Sequence, residues 1–107
     1  MHPNPSIPGI SVADLAGVLA ADPSTPVVDV REHDEYLAGH VPAASHMPLH
    51  TVPVRHDELP RDRTIYVVCA VGGRSGQAVA WLNAQGYDTV NVEGGTRDWV
   101  LSGYAVE

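Results

Sequence analysis

The 107-residue sequence contains one cysteine, no lysine and no long apolar run. A single cysteine excludes an intramolecular disulfide and a cysteine-rich metal site, and it fits a reducing compartment. Six arginines face thirteen acidic residues, and the formal net charge is -7. This balance argues against general nucleic-acid binding, because contacts to the phosphate backbone require a basic surface.

No stretch is apolar enough to cross a bilayer, and the first residues lack the basic start and apolar centre of a signal peptide. We therefore expect no membrane segment and a cytoplasmic location. The length fits one domain over residues 1–107, with the proline-rich residues 1–8 as a loose lead-in. The lysine-free composition, which favours Ala, Val and Arg, suggests a GC-rich bacterial source.

Apolar periodicity predicts strands and helices in alternation along the chain. The expected strands cover residues 27–30, 45–49, 64–68 and 89–92, and the expected helices cover 11–21, 32–38, 75–85 and a last segment capped by Thr96. Residues 50–59 fit neither pattern. The alternation predicts an α/β fold with a mostly parallel sheet and helices on its faces. Ligands of such sheets bind beyond the carboxyl ends of the strands.

Cys69 lies at such an end, in a glycine-containing loop that opens a helix. Backbone N–H groups at this position favour negative charge and lower the pKa of a thiol. Gly72 and Gly73 are expected to adopt positive φ and let the loop close around an anionic sulfur. Arg74 is expected to hold an anionic substrate. A lone cysteine after a buried strand is usually an inert packing residue. The glycine-containing loop is the feature that indicates a nucleophilic role for Cys69.

Four motifs in the chain resemble those of single-domain rhodaneses, the thiosulfate sulfurtransferase-like proteins. They are Val27 to Glu32, Glu35 to Pro42, Cys69 to Ser75, and Asn91 to Gly95 followed by Trp99. The resemblance implies a rhodanese-like fold with about five strands. It implies that Cys69 is the nucleophile and carries a persulfide. The implied persulfide loop consists of Ala70, Val71, Gly72, Gly73, Arg74 and Ser75, and the implied structural support consists of Asp29, Arg31 and His40.

The resemblance implies transfer of a sulfane sulfur from thiosulfate or a similar small anionic donor. A second cysteine is lacking, so the persulfide has to pass its sulfur to an external thiol or protein acceptor. No metal is expected, since the spacing of His40, His46, His50 and His56 matches no common zinc pattern. The implied sulfur transfer needs no organic cofactor either. An alternative is a sulfur-relay module, or a sulfide-sensing or regulatory module, with little thiosulfate turnover.

A phosphatase or arsenate reductase is a weaker alternative. In cysteine-dependent phosphatases five residues separate the cysteine from the arginine, whereas four separate Cys69 from Arg74. Two further features stay open at this point. Gly94-Gly95 is expected to form a strand-to-helix turn that faces the pocket of Cys69, and Arg97 is expected to line that pocket. Ala43-Ala44 replaces the Gly-Ala pair that rhodaneses often have, which puts the geometry of that turn in question.

Overall fold

The computed structural model describes residues 7–107. The strands are β1 (Gly9–Ile10), β2 (Val27–Asp29), β3 (Ser45–His46), β4 (Thr64–Val68) and β5 (Asp88–Val92). The helices are α1 (Val12–Ala21), α2 (His33–Ala38), α3 (Val52–Arg55), α4 (Gly73–Ala84) and α5 (Gly95–Leu101). The sheet order is β1-β5-β4-β2-β3, and every neighbouring pair is parallel. The expected α/β fold is confirmed, with a sheet that is parallel throughout.

Side chains of the central strands alternate between two buried layers. In β4, Ile65 and Val67 pack with residues of α3 and α4, and the same layer continues to Cys69. Val68 points to the opposite layer, which contains residues of α1 and α5. Because successive side chains of a strand point to opposite faces, both faces of the sheet are covered by helices. Cys69 therefore lies on the α4 face of the sheet.

The ambiguous residues 50–59 form α3 between two 3₁₀ turns, Leu49–Thr51 and His56–Glu58. Pro53 lies in the first turn of α3. A proline is tolerated there because the N–H groups of a first turn have no partner within the helix. The expected strand over 45–49 is shorter than predicted and ends at His46, two residues before Pro48.

The start of the described chain corrects one expectation. Residues 1–6 of the predicted lead-in lie outside the described part, but Pro8 accepts a hydrogen bond of 2.8 Å from the N–H of Asn91. Gly9 and Ile10 then pair with β5 as an edge strand. A two-residue strand has no periodicity of its own, so the sequence pattern did not reveal it.

Two helix starts also differ from expectation. Helix α4 begins at Gly73 and not at Ser75. Helix α5 begins at Gly95 with Gly94 as its N-cap, so Thr96 is not the cap. The N-terminus of α1 agrees with expectation, because the Ser11 side chain accepts a hydrogen bond from the N–H of Asp14.

Among the described residues 7–107, Ala43 is the one non-glycine residue with a positive φ, which is 66°. Its N–H donates to the Glu107 carboxylate at 3.0 Å. The turn thus keeps a left-handed conformation that suits glycine, although the sequence has alanine. The left-handed region costs an L-residue about 1 to 2 kcal/mol, so the departure noted in the sequence leaves the turn strained.

We expect Ala43→Gly to raise the free energy of unfolding by about 0.5 to 1 kcal/mol, because relief of strain exceeds the added entropy of the unfolded chain. Urea denaturation measures the change. The matched control is Ala80→Gly on the exposed side of α4, which should lower stability by about 0.5 to 1 kcal/mol. A loss of stability in both variants would contradict the assignment of strain to Ala43.

Candidate active site

Cys69 follows β4 directly and is 1% exposed. It is the free thiol of the chain and contributes to the core layer beneath α4. The loop then runs outward, and the side chain of Val71 is 59% exposed. The thiol therefore lies at the bottom of a loop whose next residues face solvent.

Hydrogen-bond donors converge on the sulfur of Cys69. The N–H of Gly72 lies 3.1 Å from Sγ, and the hydroxyl oxygen of Ser75 lies 3.2 Å from it. Burial by itself raises the pKa of the Cys69 thiol, but the Ser75 hydroxyl and the N–H groups of Ser75, Gly72 and Val71 outweigh burial and lower this pKa below its ordinary value. The loop therefore favours the thiolate, which is the nucleophilic form.

The Ser75 hydroxyl has a second acceptor, the Oδ1 atom of Asn91 at 2.6 Å. The Nδ2 group of Asn91 donates to the carbonyl of Gly72 at 3.2 Å, which turns Oδ1 towards Ser75. Because a hydroxyl carries one proton, Ser75 donates either to Asn91 or to the Cys69 sulfur. Asn91 thus competes with the thiolate for this proton and also holds the loop backbone.

The beginning of the loop is fixed to α5. The carbonyl of Cys69 accepts from the N–H of Thr96 at 2.8 Å and from its hydroxyl at 3.1 Å. The carbonyl of Ala70 accepts from the N–H of Arg97 at 3.0 Å. Gly95 has φ 60°, and a Cβ atom there would lie 2.5 Å from the Cys69 carbonyl oxygen. A glycine is therefore required where α5 meets the loop.

The two loop glycines differ in conformation. Gly72 is the N-cap of α4 and has φ 114°, a value that side chains rarely allow. Gly73 starts the helix and does not have positive φ. The expectation of positive φ is therefore confirmed for Gly72 and wrong for Gly73.

Arg74 forms a bidentate ion pair with Glu35 of α2. Its Nη1 and Nη2 atoms lie 2.7 and 2.9 Å from the two carboxylate oxygens. The Arg74 guanidinium, together with the N–H of Glu32, lowers the pKa of Glu35 to about 2. The pair ties the first turn of α4 to α2 and neutralises the arginine. The expectation that Arg74 binds an anionic donor stays a prediction.

Asp29 and Arg31 form a buried ion pair at the end of β2. The Asp29 carboxylate accepts from Nη2 of Arg31 at 2.7 Å, and the same nitrogen donates to the carbonyl of Gly39 at 2.8 Å. The ring of His40 stacks on Tyr36 with 3.8 Å between centroids. These contacts join β2 to the end of α2. Structural support by Asp29, Arg31 and His40 stays a prediction about function.

In the described residues 7–107, no three side chains of His, Cys, Asp or Glu cluster as metal ligands would. No helix in the same part of the chain is long and apolar enough to cross a membrane.

Comparison with known proteins identifies the family. Residues 11–102 match the rhodanese-like domain. The chain belongs to the rhodanese-like domain family. A sulfurtransferase of Allochromatium vinosum is 37% identical over 98 residues, which cover 91% of this chain and 92% of that protein. A Bacillus subtilis protein provisionally named as a sulfur carrier is 40% identical over 95 residues, covering 88% of this chain and 51% of that protein.

The solved structures agree with this assignment. A rhodanese-related protein of Thermoplasma volcanium superposes on the chain with a TM-score of 0.87 and 35% identity. The superposition covers 94% of this chain and 97% of that one. The resemblance drawn from four sequence motifs is therefore confirmed for the family and for the fold.

The structure adds three residues to the site of this rhodanese-like domain that the sequence did not predict there: Glu35, Asn91 and Thr96. Glu35 is 39 positions from its partner Arg74, and no spacing rule links residues so far apart. Asn91 and Thr96 come from β5 and α5, and their hydrogen bonds to the loop depend on strand order. Asn91 belongs to one of the four motifs that resemble rhodaneses, but nothing in the sequence indicates which residues it contacts.

We expect Ser75→Ala to raise the pKa of the Cys69 thiol, because the variant loses a hydrogen bond that stabilises the thiolate. The ultraviolet absorbance of the thiolate, followed against pH, reports this one cysteine. Ser102→Ala, an exposed serine at the end of α5, is the control and should leave the titration unchanged. An unchanged titration in Ser75→Ala would contradict the role assigned to the hydroxyl.

We expect Glu35→Gln to lower the free energy of unfolding at pH 7 by about 1 kcal/mol, since solvent screens a pair that is a third exposed. The lowered pKa of Glu35 stabilises the folded state above the ordinary pKa of 4.5, and this gain is lost as pH falls towards 2.

The difference in the free energy of unfolding between wild type and Glu35→Gln should therefore become smaller as the pH falls from 4.5 to 2. Denaturation curves at several pH values measure it. The control is Glu58→Gln, which removes a more exposed ion pair with Arg55 and should lower the free energy of unfolding by less. A difference that is constant down to pH 2 would show that the charge of Glu35 does not stabilise the fold.

Proposed function

We propose that this rhodanese-like domain is a sulfurtransferase with Cys69 as its sulfur carrier. It takes a sulfane sulfur from thiosulfate or a similar small anionic donor and passes it to a thiol or protein acceptor. The observation that carries the proposal is the convergence of the Gly72 N–H and the Ser75 hydroxyl on the sulfur of Cys69. The family membership and the names of the relatives support sulfur transfer as the reaction class.

In the first half-reaction the Cys69 thiolate attacks the outer sulfur of the donor. A sulfur–sulfur bond forms to Cys69, and the bond inside thiosulfate breaks with its electron pair leaving on sulfite. The enzyme then carries a persulfide with one negative charge, and no proton is transferred. In the second half-reaction the acceptor attacks the terminal sulfur, and the Cys69 thiolate is released.

The loop suits an anionic persulfide because its donors are fixed before the reaction. Gly72 holds its N–H towards the sulfur through a backbone conformation that glycine permits. The attachment of Cys69 and Ala70 to α5 limits movement of the loop. Preorganised donors stabilise developing charge without the cost of reorganising solvent.

The proposed carrier has one cysteine, so an external acceptor must take the sulfur. A sulfur relay with little thiosulfate turnover uses the same persulfide and differs in its donor and acceptor. The Bacillus subtilis relative, provisionally named as a sulfur carrier, gives this second candidate its support.

We expect incubation with thiosulfate to add one sulfur atom to the wild-type protein and none to Cys69→Ser. Intact-mass spectrometry of the reduced protein measures the gain, and cyanide should remove it as thiocyanate. As a control for folding, the circular dichroism spectrum of Cys69→Ser should match that of the wild-type protein. A sulfur gain in Cys69→Ser would sink the assignment of Cys69. Efficient turnover of thiosulfate favours the enzyme, whereas loading with negligible turnover favours the relay.

A further inference from the structure

The hydroxyl of Ser75 lies between two acceptors in the interior of the protein. Its oxygen is 2.6 Å from Oδ1 of Asn91 and 3.2 Å from Sγ of Cys69. Ser75 is 0% exposed and Cys69 is 1% exposed. A hydroxyl has one proton to donate, and at this depth it has to donate it to one of these two atoms.

The side-chain amide of Asn91 is fixed in the orientation that accepts from Ser75. Its Nδ2 group donates to the carbonyl of Gly72 at 3.2 Å. An amide turned by 180° would place Oδ1 against this carbonyl oxygen, and two acceptors cannot form a hydrogen bond. The backbone of Asn91 is held as well, since its N–H donates to the carbonyl of Pro8 at 2.8 Å. Asn91 therefore offers the Ser75 hydroxyl an acceptor that does not turn away.

The charge on Sγ decides which acceptor the hydroxyl uses. A thiolate is a strong acceptor, because hydrogen bonds to an ionised group are stronger than those between neutral groups. A neutral thiol is a weak acceptor. The inner sulfur of a persulfide carries no net charge either, because the charge of the persulfide lies on its outer sulfur. The hydroxyl of Ser75 is therefore expected to donate to the thiolate, and to Asn91 when Sγ is neutral.

We propose that Asn91 is a positioning residue for sulfur transfer, which accepts the Ser75 hydroxyl proton whenever Sγ of Cys69 is neutral and thereby favours the sulfur-loaded protein over the free thiolate. This inference rests on the proposed function and assigns a role to a side chain that does not touch the reacting sulfur.

The hydroxyl changes its partner in each half-reaction. During loading, negative charge moves from Sγ to the outer sulfur, and the O–H of Ser75 turns from Sγ to Asn91. During discharge, the sulfur–sulfur bond of the persulfide breaks and its electron pair returns to Sγ. The O–H then turns back to the thiolate. The O–H bond itself stays intact, so no proton is transferred in either step.

Charged side chains also surround the loop, and they stay the same in the test below. The charge of Arg74 acts on Cys69, and Glu35 pairs with this arginine. The other charged side chains beside the loop are the paired Asp29 and Arg31, the exposed Arg97 next to Ala70, and the exposed Glu93 next to Gly72. Because no variant changes these groups, the comparison isolates the Ser75 hydroxyl and its acceptor.

The first test is a double-mutant cycle of Asn91→Leu and Ser75→Ala, followed by the ultraviolet absorbance of the Cys69 thiolate against pH in the unloaded protein. With Ser75 present, Asn91→Leu leaves the hydroxyl with the thiolate as its one acceptor. We therefore expect Asn91→Leu to lower the pKa of the Cys69 thiol by about one pH unit more with Ser75 present than in the Ser75→Ala background. Loss of the contact between Asn91 and Gly72 occurs in both backgrounds and cancels.

Circular dichroism checks that each variant folds. Asn91→Val, whose β-branched side chain suits a strand, replaces Asn91→Leu if that variant is unfolded. Equal effects of the Asn91 substitution on the thiol pKa in the two backgrounds would overturn the inference, because a merely structural role of Asn91 does not depend on the Ser75 hydroxyl.

Asn83 provides the matched control at the other end of α4. Its Oδ1 atom accepts from the hydroxyl of Thr89 at 2.7 Å, which is the same kind of contact. Asn83→Leu should lower stability and leave the titration of Cys69 unchanged. A change in the thiol pKa as large as that in Asn91→Leu would show that general loosening of the fold is the cause, and it would also overturn the inference.

The second test measures loading at equilibrium in a mixture of thiosulfate and sulfite at fixed ratio, with intact-mass spectrometry for the loaded fraction. We expect Asn91→Leu to lower the equilibrium constant for loading about tenfold more with Ser75 present than in the Ser75→Ala background, since one pH unit in the thiol pKa corresponds to a factor of ten. Equal effects in the two backgrounds contradict the proposed preference for the loaded protein.

The two tests separate this inference from the proposed function. If thiosulfate loads neither the wild type nor any variant, the proposed transfer from thiosulfate fails, and the thiol titration alone decides whether Asn91 takes the Ser75 proton. If the wild type is loaded but neither cycle depends on Ser75, sulfur transfer stands and the role of Asn91 is overturned.

Discussion

The contact between the first turn of α5 and the backbone of the Cys69 loop is the constraint on which the site depends. Thr96 and Arg97 donate to the carbonyls of Cys69 and Ala70, and Gly95 allows this approach because a side chain there would meet the Cys69 carbonyl oxygen. The loop is thereby held at its start by α5 and at its end by α4. With both ends fixed, the N–H of Gly72 stays directed at the sulfur.

The electrostatics of the site are local. The protein as a whole is acidic, and Arg74 at the end of the loop is neutralised by Glu35. The lowered pKa of Cys69 comes from hydrogen-bond donors close to the sulfur, which outweigh the unfavourable effect of burial. Such donors act at short range and are little screened inside the loop. An anionic sulfur can therefore be stabilised within a negatively charged protein.

The fold was predictable where local pattern and tertiary structure agree. The apolar run of β4 is long enough to indicate a buried strand, and Ser11 and Asp22 mark the ends of α1. The failures occur where pairing decides the structure. The edge strand β1 exists because Gly9 and Ile10 pair with β5, and the start of α5 is set by Gly94 and not by Thr96. The positive φ of Ala43 likewise follows from the turn and not from a preference of alanine.

By itself the sequence determined the class of fold, the position of Cys69 at the end of a strand and the glycine, Gly72, that permits a tight loop, because these depend on periodicity and on neighbours along the chain. Only the tertiary structure decided which groups meet there. The parallel order of β5, β4 and β2 brings Asn91 to Ser75, α2 to Arg74 and α5 to the loop backbone. These partners are 16 to 39 positions apart, and no local rule connects such distances. The order of the strands depends on burial of apolar side chains that are distant in the sequence. This order therefore brings the partner residues to Cys69, whose position at a strand end was evident from the sequence.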